Sequence, residues 1–180
     1  FSIIRPTAYF KSLSGQIENI KKGKPYIYFG DGKLTQCNPI SEKDLSHFIL
    51  SCIRDRNKWK KILPIGGPNQ SLTPKNIGEM LFKIFEVTPK YRSFPTKILD
   101  VIGLFFLIGS PFSNWAKNKL ELIKIAKYYA TESMLVWDES KMCYDHFKTP
   151  STGNDTLEQY FYSIKNQKLE LNIDRDSKLY

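Results

Sequence analysis

Apolar and polar positions along this chain switch between two periods, and the switches outline an α/β protein. Ile3 and Ile4 open it with a β-branched run that suits a strand covered on both faces, as in a parallel sheet. Arg5-Pro6 ends the run, because proline has no N–H for a ladder and fixes its own φ. Leu13, Ile17 and Ile20 then recur at helical spacing as far as Lys21-Lys22-Gly23, where cations and a glycine mark a carboxyl end. Residues 25–29 (PYIYF) read as a strand and Gly30-Asp31-Gly32 as a tight turn, with a second extended segment over 34–40.

Ser41 can cap the next helix, with Asp44 near the capping-box position. Leu45, Phe48, Ile49, Cys52 and Ile53 predict one buried stripe on it, so Cys52 is expected in the core. Residues 61–65 (KILPI) read as a strand ending at Gly66-Gly67-Pro68. Thr73-Pro74 then starts a helix whose stripe is Ile77, Met80, Leu81, Ile84 and Phe85. Two prolines break the pattern over 88–95. The apolar run 98–109 (ILDVIGLFFLIG) is too short for a spanning helix, which needs about 20 residues, and is expected to be a buried helix or a pocket wall. Ser110-Pro111-Phe112 separates it from a helix over 118–129 with Leu122, Ile125, Ala126 and Tyr129 on one face. Residues 130–137 lead into an extended piece, 156–164 form a last helix, and 165–180 read as a flexible tail.

Composition narrows the class without naming a reaction. With 41% apolar and 25% charged residues, the 180-residue chain is globular. Its net charge of +9 is compatible with nucleic acid, an anionic membrane surface or an acidic ligand. The lysines are dispersed, however, and no nucleic-acid motif accompanies them, so no nucleic acid is expected as a partner. Cys37, Cys52 and Cys143 are odd in number and widely spaced, which argues against a disulfide framework or a metal site and fits a reducing compartment. No metal is expected, since His47 and His146 lack a zinc spacing.

Several stretches in order carry a resemblance: IIRPTAYFKSLSGQ (3–16), GKPYIYFGDGKLTQCNPIS (23–41), ILPIGGP (62–68), LTPKNIGEMLF (72–82), AKYYATESMLV (126–136) and TPSTGNDTLEQYF (149–161). Together they resemble the carboxyl-terminal half of the divinyl chlorophyllide a 8-vinyl-reductases, a group of atypical short-chain dehydrogenase/reductases. The resemblance implies the carboxyl-terminal part of a Rossmann-like NAD(P)-binding domain over 1–68, with its amino-terminal half missing. It also implies a smaller, mostly helical substrate-binding region over 69–164. NADPH is the implied cofactor. The implied reaction is reduction of the 8-vinyl group of divinyl chlorophyllide a, or a related tetrapyrrole, to ethyl. Chlorophyll biosynthesis in a chloroplast is the implied setting, with a bacterial cytoplasm as the alternative.

The same resemblance sets Arg5, Pro6, Thr7 and Ala8 at the nicotinamide end of the cofactor, the Thr7 hydroxyl and nearby backbone holding the carboxamide. Tyr9, Phe10 and Lys11 are expected on the substrate side, and Phe105, Phe106, Trp115, Tyr128 and Tyr129 as aromatic walls for a flat macrocycle. Lys11 or Lys127 is a candidate partner for the substrate carboxylate. No GxGxxG follows a strand, so the pyrophosphate site and the catalytic residues are expected upstream of Phe1. Tyr144 and Lys148 have the Tyr-x-x-x-Lys spacing but no helical stripe, and are expected to be a chance match. Another atypical short-chain reductase, or a binding and assembly protein on the same fold, remains an alternative. Peripheral membrane association is kept open.

Overall fold

The computed structural model describes residues 1–166 apart from 69, 110 and 112. Six strands and six α-helices follow one another: β1 (Ile3–Pro6), α1 (Ile17–Lys21), β2 (Tyr26–Phe29), α2 (Glu42–Arg54), β3 (Ile62–Ile65), α3 (Pro74–Phe85), β4 (Tyr91–Phe94), α4 (Lys97–Gly109), α5 (Asn114–Thr131), β5 (Val136–Asp138), β6 (Cys143–Asp145) and α6 (Leu157–Lys165). The strands pair two by two. β1 runs parallel to β3, with Ile3 opposite Ile62 and Pro6 opposite Ile65. β2 runs parallel to β4, and β5 is antiparallel to β6. Parallel pairing requires crossovers, and α2 and α3 supply them, which makes this an α/β architecture as expected.

Local chemistry explains where the helices begin. The Ser41 hydroxyl accepts the Asp44 N–H at α2, while Thr73 with Asn76 and Thr156 with Gln159 form reciprocal capping boxes at α3 and α6. Each such cap is worth about 1 kcal/mol. Pro74 occupies the first turn of α3, where its missing N–H costs nothing.

The main core joins both ends of the chain. Phe10, Ile17, Ile20 and Tyr26 pack with Ile77, Leu81, Phe82 and Ile84 of α3 and with Leu157, Phe161 and Ile164 of α6. A smaller core of Ile40, Leu45 and Ile65 seals the end of β3.

Several sequence expectations are corrected. β1 is not covered on both faces: Ile3 is exposed, and in the described chain β3 is its only partner. The stripe of α2 is buried only at its start, with Ile49 and Ile53 exposed and Cys52 half-buried rather than in the core. Asp44 does not complete a capping box; its carboxylate accepts the N–H groups of Asn154 and Asp155 at 3.1 and 3.0 Å, tying α2 to the segment before α6. Residues 34–40 form no strand but make single bridges, Cys37 to Leu72 and to Met134, and Ile40 to Tyr9. β4 falls where two prolines obscured it; Pro89 and Pro95 merely flank it.

The apolar run 98–109 is a helix, but Leu99 alone of its described residues is buried. The predicted face of α5 is also largely unburied: Ile125 and Tyr129 are exposed, and the buried positions are Ala116, Leu120 and Ala130. Both corrections have one cause. α4 and α5 pack mainly on each other and leave their outer faces uncovered. The flexible tail lies outside the described residues except for Lys165 and Asn166, as do Ser110 and Phe112 of the expected break between α4 and α5.

Candidate functional site

The carboxyl end of β1 opens onto two adjoining cavities. The first, about 470 Å³, is lined by Arg5, Pro6 and Thr7, by Ile62 and Pro64 of β3, and by residues 133–137 with Tyr128, Tyr129, Tyr144 and Thr149. The second, about 490 Å³, is lined by residues 6–9, Ser12 and Leu13, by residues 35–37, by Leu72, Pro74 and Ile77, and by Tyr129, Glu132 and Met134. Pro6, Thr7, Tyr129 and Met134 belong to both, so they form the shared rim. Each volume is within the range of small-molecule sites, and open α/β folds bind ligands beyond the carboxyl ends of their strands.

The floor of this cleft is knitted by backbone. Cys37 and Leu72 exchange N–H···O bonds of 3.1 and 2.8 Å, and the Met134 N–H donates to the Gln36 carbonyl at 2.9 Å. The Gln36 N–H in turn donates to the Ser133 hydroxyl at 2.9 Å. Gly67 allows β3 to approach residues 38–40: a Cβ there would lie 3.2 Å from Ile40 Cα, 2.9 Å from the Pro39 carbonyl carbon and closer still to its oxygen. The Thr7 hydroxyl donates to the Asn38 carbonyl, and the Thr7 N–H donates to the Ile65 carbonyl at 3.0 Å. Both Thr7 donors are therefore engaged within the protein. A carboxamide can meet only the lone pairs of the hydroxyl oxygen, so Thr7 could hold it as an acceptor alone.

Of the residues singled out from sequence, Arg5, Pro6, Thr7, Ala8, Tyr9, Tyr128 and Tyr129 meet at the two cavities. Phe10 does not line them; it is buried against Tyr160 with ring centroids 5.5 Å apart. Lys11 is exposed in a short 3₁₀ turn and lines neither. Phe105, Phe106 and Trp115 stack among themselves on the α4–α5 hairpin, also away from both cavities. Lys127 is paired with Asp100. Tyr144 and Lys148 point to different partners, Glu132 and Asp138, which removes the Tyr-x-x-x-Lys reading. Among the described residues no His, Cys, Asp and Glu group could hold a metal ion.

The structure adds residues that periodicity did not single out. Tyr144 donates its hydroxyl to Glu132 at 2.5 Å, and this bond, with some desolvation, pushes the phenol up to about 12. The phenol thus keeps its proton at every ordinary pH. Trp137 stacks edge-on against it at 5.0 Å between centroids. Cys37, at the second cavity, is also pushed up to about 12 by burial, which makes it an inert thiol rather than a nucleophile. Below the cleft, the carboxyl of Asp138 is held well beneath the usual range, first by hydrogen bonds from Lys148 and Ser140. Lys148 approaches it at 2.8 Å. Asp145 is lowered in the same direction by its bond to Lys141.

Comparison with known proteins adds what geometry cannot. No family model matches the chain. A divinyl chlorophyllide a 8-vinyl-reductase, chloroplastic, of Arabidopsis thaliana is 50% identical over 165 residues, 91% of this chain and 39% of that protein. Its counterparts in Zea mays and in Oryza sativa subsp. indica are 48% and 49% identical over the same length. The chain spans about two-fifths of the length of these relatives. Among solved structures, a UDP-glucuronic acid 4-epimerase from Bacillus cereus superposes with a TM-score of 0.55 at 16% identity, covering 93% of this chain and 46% of that one. An isoflavone reductase gives 0.54 at 16% identity, covering 92% and 52%. These likenesses establish the fold, a Rossmann-like α/β architecture. Over nine-tenths of its length the chain is 48–50% identical to divinyl chlorophyllide a 8-vinyl-reductases.

Proposed function

We propose that the complete protein to which this chain belongs reduces the 8-vinyl group of divinyl chlorophyllide a to ethyl, with NADPH, in a chloroplast. The observation that carries the reading is the 50% identity to the Arabidopsis reductase, sustained over 91% of the chain. The paired cavities beside Pro6 and Thr7 support it, because a hydride transfer needs the nicotinamide C4 held close to the substrate double bond in one cleft.

Cofactor and cleft are chemically compatible. The rim offers apolar contact from Pro6, Ala8, Leu72 and Met134, and the Thr7 oxygen as an acceptor for an amide N–H. In this reading Arg5, Pro6, Thr7 and Ala8 hold the nicotinamide end. NADPH supplies the hydride when bound. Tyr9, Tyr128 and Tyr129, with Trp137, offer aromatic surface to a macrocycle, and residues 133–137 exclude water from one side. Converting vinyl to ethyl adds one hydride and one proton. Tyr144 lines the first cavity with its O–H proton donated to Glu132, so the Tyr144–Glu132 pair, once that bond opens toward the substrate, is our candidate to deliver it. Contact with a membrane surface belongs to the same proposal, since its substrate is a largely apolar pigment.

The test is to express the complete reading frame and incubate it with divinyl chlorophyllide a and NADPH. Chromatography should show the monovinyl pigment. A folded protein that leaves the pigment unchanged over many equivalents of NADPH overturns the proposal.

A further inference from the structure

The most apolar helix of the chain is also among its least covered. Val101, Leu104, Phe105 and Ile108 of α4 are 69, 60, 73 and 69% exposed. They stand at i, i+3, i+4 and i+7, so they form one stripe about 10 Å long. The opposite side of α4 lies on α5: a Cβ at Gly103 would meet Ile123 at 3.6 Å, and one at Gly109 would meet Ala116 at 3.4 Å. Trp115, 61% exposed, sits at the start of α5 with its ring against Phe106. Contiguous exposed apolar surface of this kind marks a contact site.

Charge identifies the occupant. The two helices carry Lys97, Lys117, Lys119, Lys124 and Lys127 against Asp100 and Glu121. Lys127 pairs with Asp100 and Lys124 with Glu121. Lys97, Lys117 and Lys119 make no ion pair among the described residues, so the hairpin carries unbalanced positive charge, with Lys97 one turn before Val101 on the helix that bears the stripe. Two copies of such a face would bring like charges together. A surface of anionic headgroups over acyl chains satisfies both features at once. No described helix is long and apolar enough to cross a membrane, so the hairpin would lie on the surface.

We infer that the α4–α5 hairpin docks on an anionic lipid membrane, with Val101, Leu104, Phe105 and Ile108 inserted at the headgroup boundary and the unpaired lysines of the hairpin supplying the attraction to the headgroups. This rests on the membrane contact in the proposed function and supplies its surface and lipid chemistry, but not on the reaction.

The test is flotation of the complete protein with vesicles of phosphatidylcholine alone and of equimolar phosphatidylcholine and phosphatidylglycerol. Wild type should float with the anionic vesicles, less so as salt rises, and partition at least tenfold less into neutral ones. Leu104→Ser with Ile108→Ser should reduce flotation at least tenfold. Lys117→Glu with Lys119→Glu should abolish the preference for anionic lipid. Both variants should keep the wild-type melting temperature, because Leu104, Ile108 and Lys117 are exposed and the half-buried Lys119 makes no ion pair among the described residues. Equal flotation of wild type and the serine variant overturns the inference. So does a wild type that stays unbound while light scattering shows the serine variant dissociating an oligomer, which would make this face a protein interface. A protein that floats but reduces no pigment leaves the inference standing and removes the reaction; one that reduces pigment but never floats does the opposite.

Discussion

Gly67→Ala is a sharp perturbation of the site's framework. The added methyl would lie 2.9 Å from the Pro39 carbonyl carbon and 3.2 Å from Ile40 Cα, with the Pro39 oxygen closer still. Backbone atoms cannot swing aside as a side-chain end can, so residues 38–40 must move away from the end of β3. That movement strains the Gly67 N–H bond to the Asn38 carbonyl, now 3.2 Å, and the Thr7 hydroxyl bond to the same carbonyl. Overpacking costs about 1–3 kcal/mol, and a weakened hydrogen bond adds about 0.5–1.5 kcal/mol, so the loss should be about 1.5–4.5 kcal/mol. With a urea m-value near 2 kcal/mol/M, the unfolding midpoint falls by about 0.8–2.2 M. Gly15→Ala is the matched control: its φ is −59°, and no atom lies within 4 Å of the added Cβ. It should stabilise by about 0.4–1 kcal/mol. If the two variants unfold at the same urea concentration, the close approach at Gly67 is not what holds this segment.

Three further outcomes follow from named contacts. Tyr144→Phe should lower kcat of the complete enzyme at least tenfold while leaving KM within about threefold, because the ring remains and only its proton is lost; unchanged kcat excludes it as the proton source. Lys148→Met should lower the melting temperature at pH 7 and flatten its fall in acid. Asp138 has a folded pKa below its ordinary 3.8, so its contribution is present above that value and is lost as pH falls through the folded pKa. The wild-type advantage should therefore shrink below about pH 4, and an advantage that grows there contradicts the assignment. Leu81→Ala, emptying a fully buried position in the main core, should cost about 2–5 kcal/mol in urea unfolding.

How much of this could be read from the chain varies with the physics involved. α2, α3 and α6 were legible because caps and apolar spacing are local; Ser41 and Thr73-Pro74 mark their helix starts on the page. β1 and β3 were legible as strands, and Ile3 and Ile4 correctly signalled parallel pairing. Burial was less legible, because a stripe such as Leu45 to Ile53 says which face is apolar and not whether another element covers it. The same limit turned the run 98–109 from an expected buried helix or pocket wall into an exposed helix. β4 was missed because strand pairing is decided by a distant partner, here β2. At the site, Pro6, Thr7, Tyr128 and Tyr129 came from the resemblance and meet at one cleft. Tyr144 was noted only for a chance Tyr-x-x-x-Lys spacing and Glu132 not at all, since the two are twelve positions apart with no shared period and the fold of β5 and β6 brings them together.

If this cleft serves pigment reduction, as proposed, the complete protein given divinyl chlorophyllide a and NADPH deuterated at the nicotinamide C4 position that donates hydride must carry the label into its product. Mass spectrometry should find one deuterium in the 8-ethyl group of the product. A folded protein that yields no ethyl product, or an ethyl product without the label, contradicts the account.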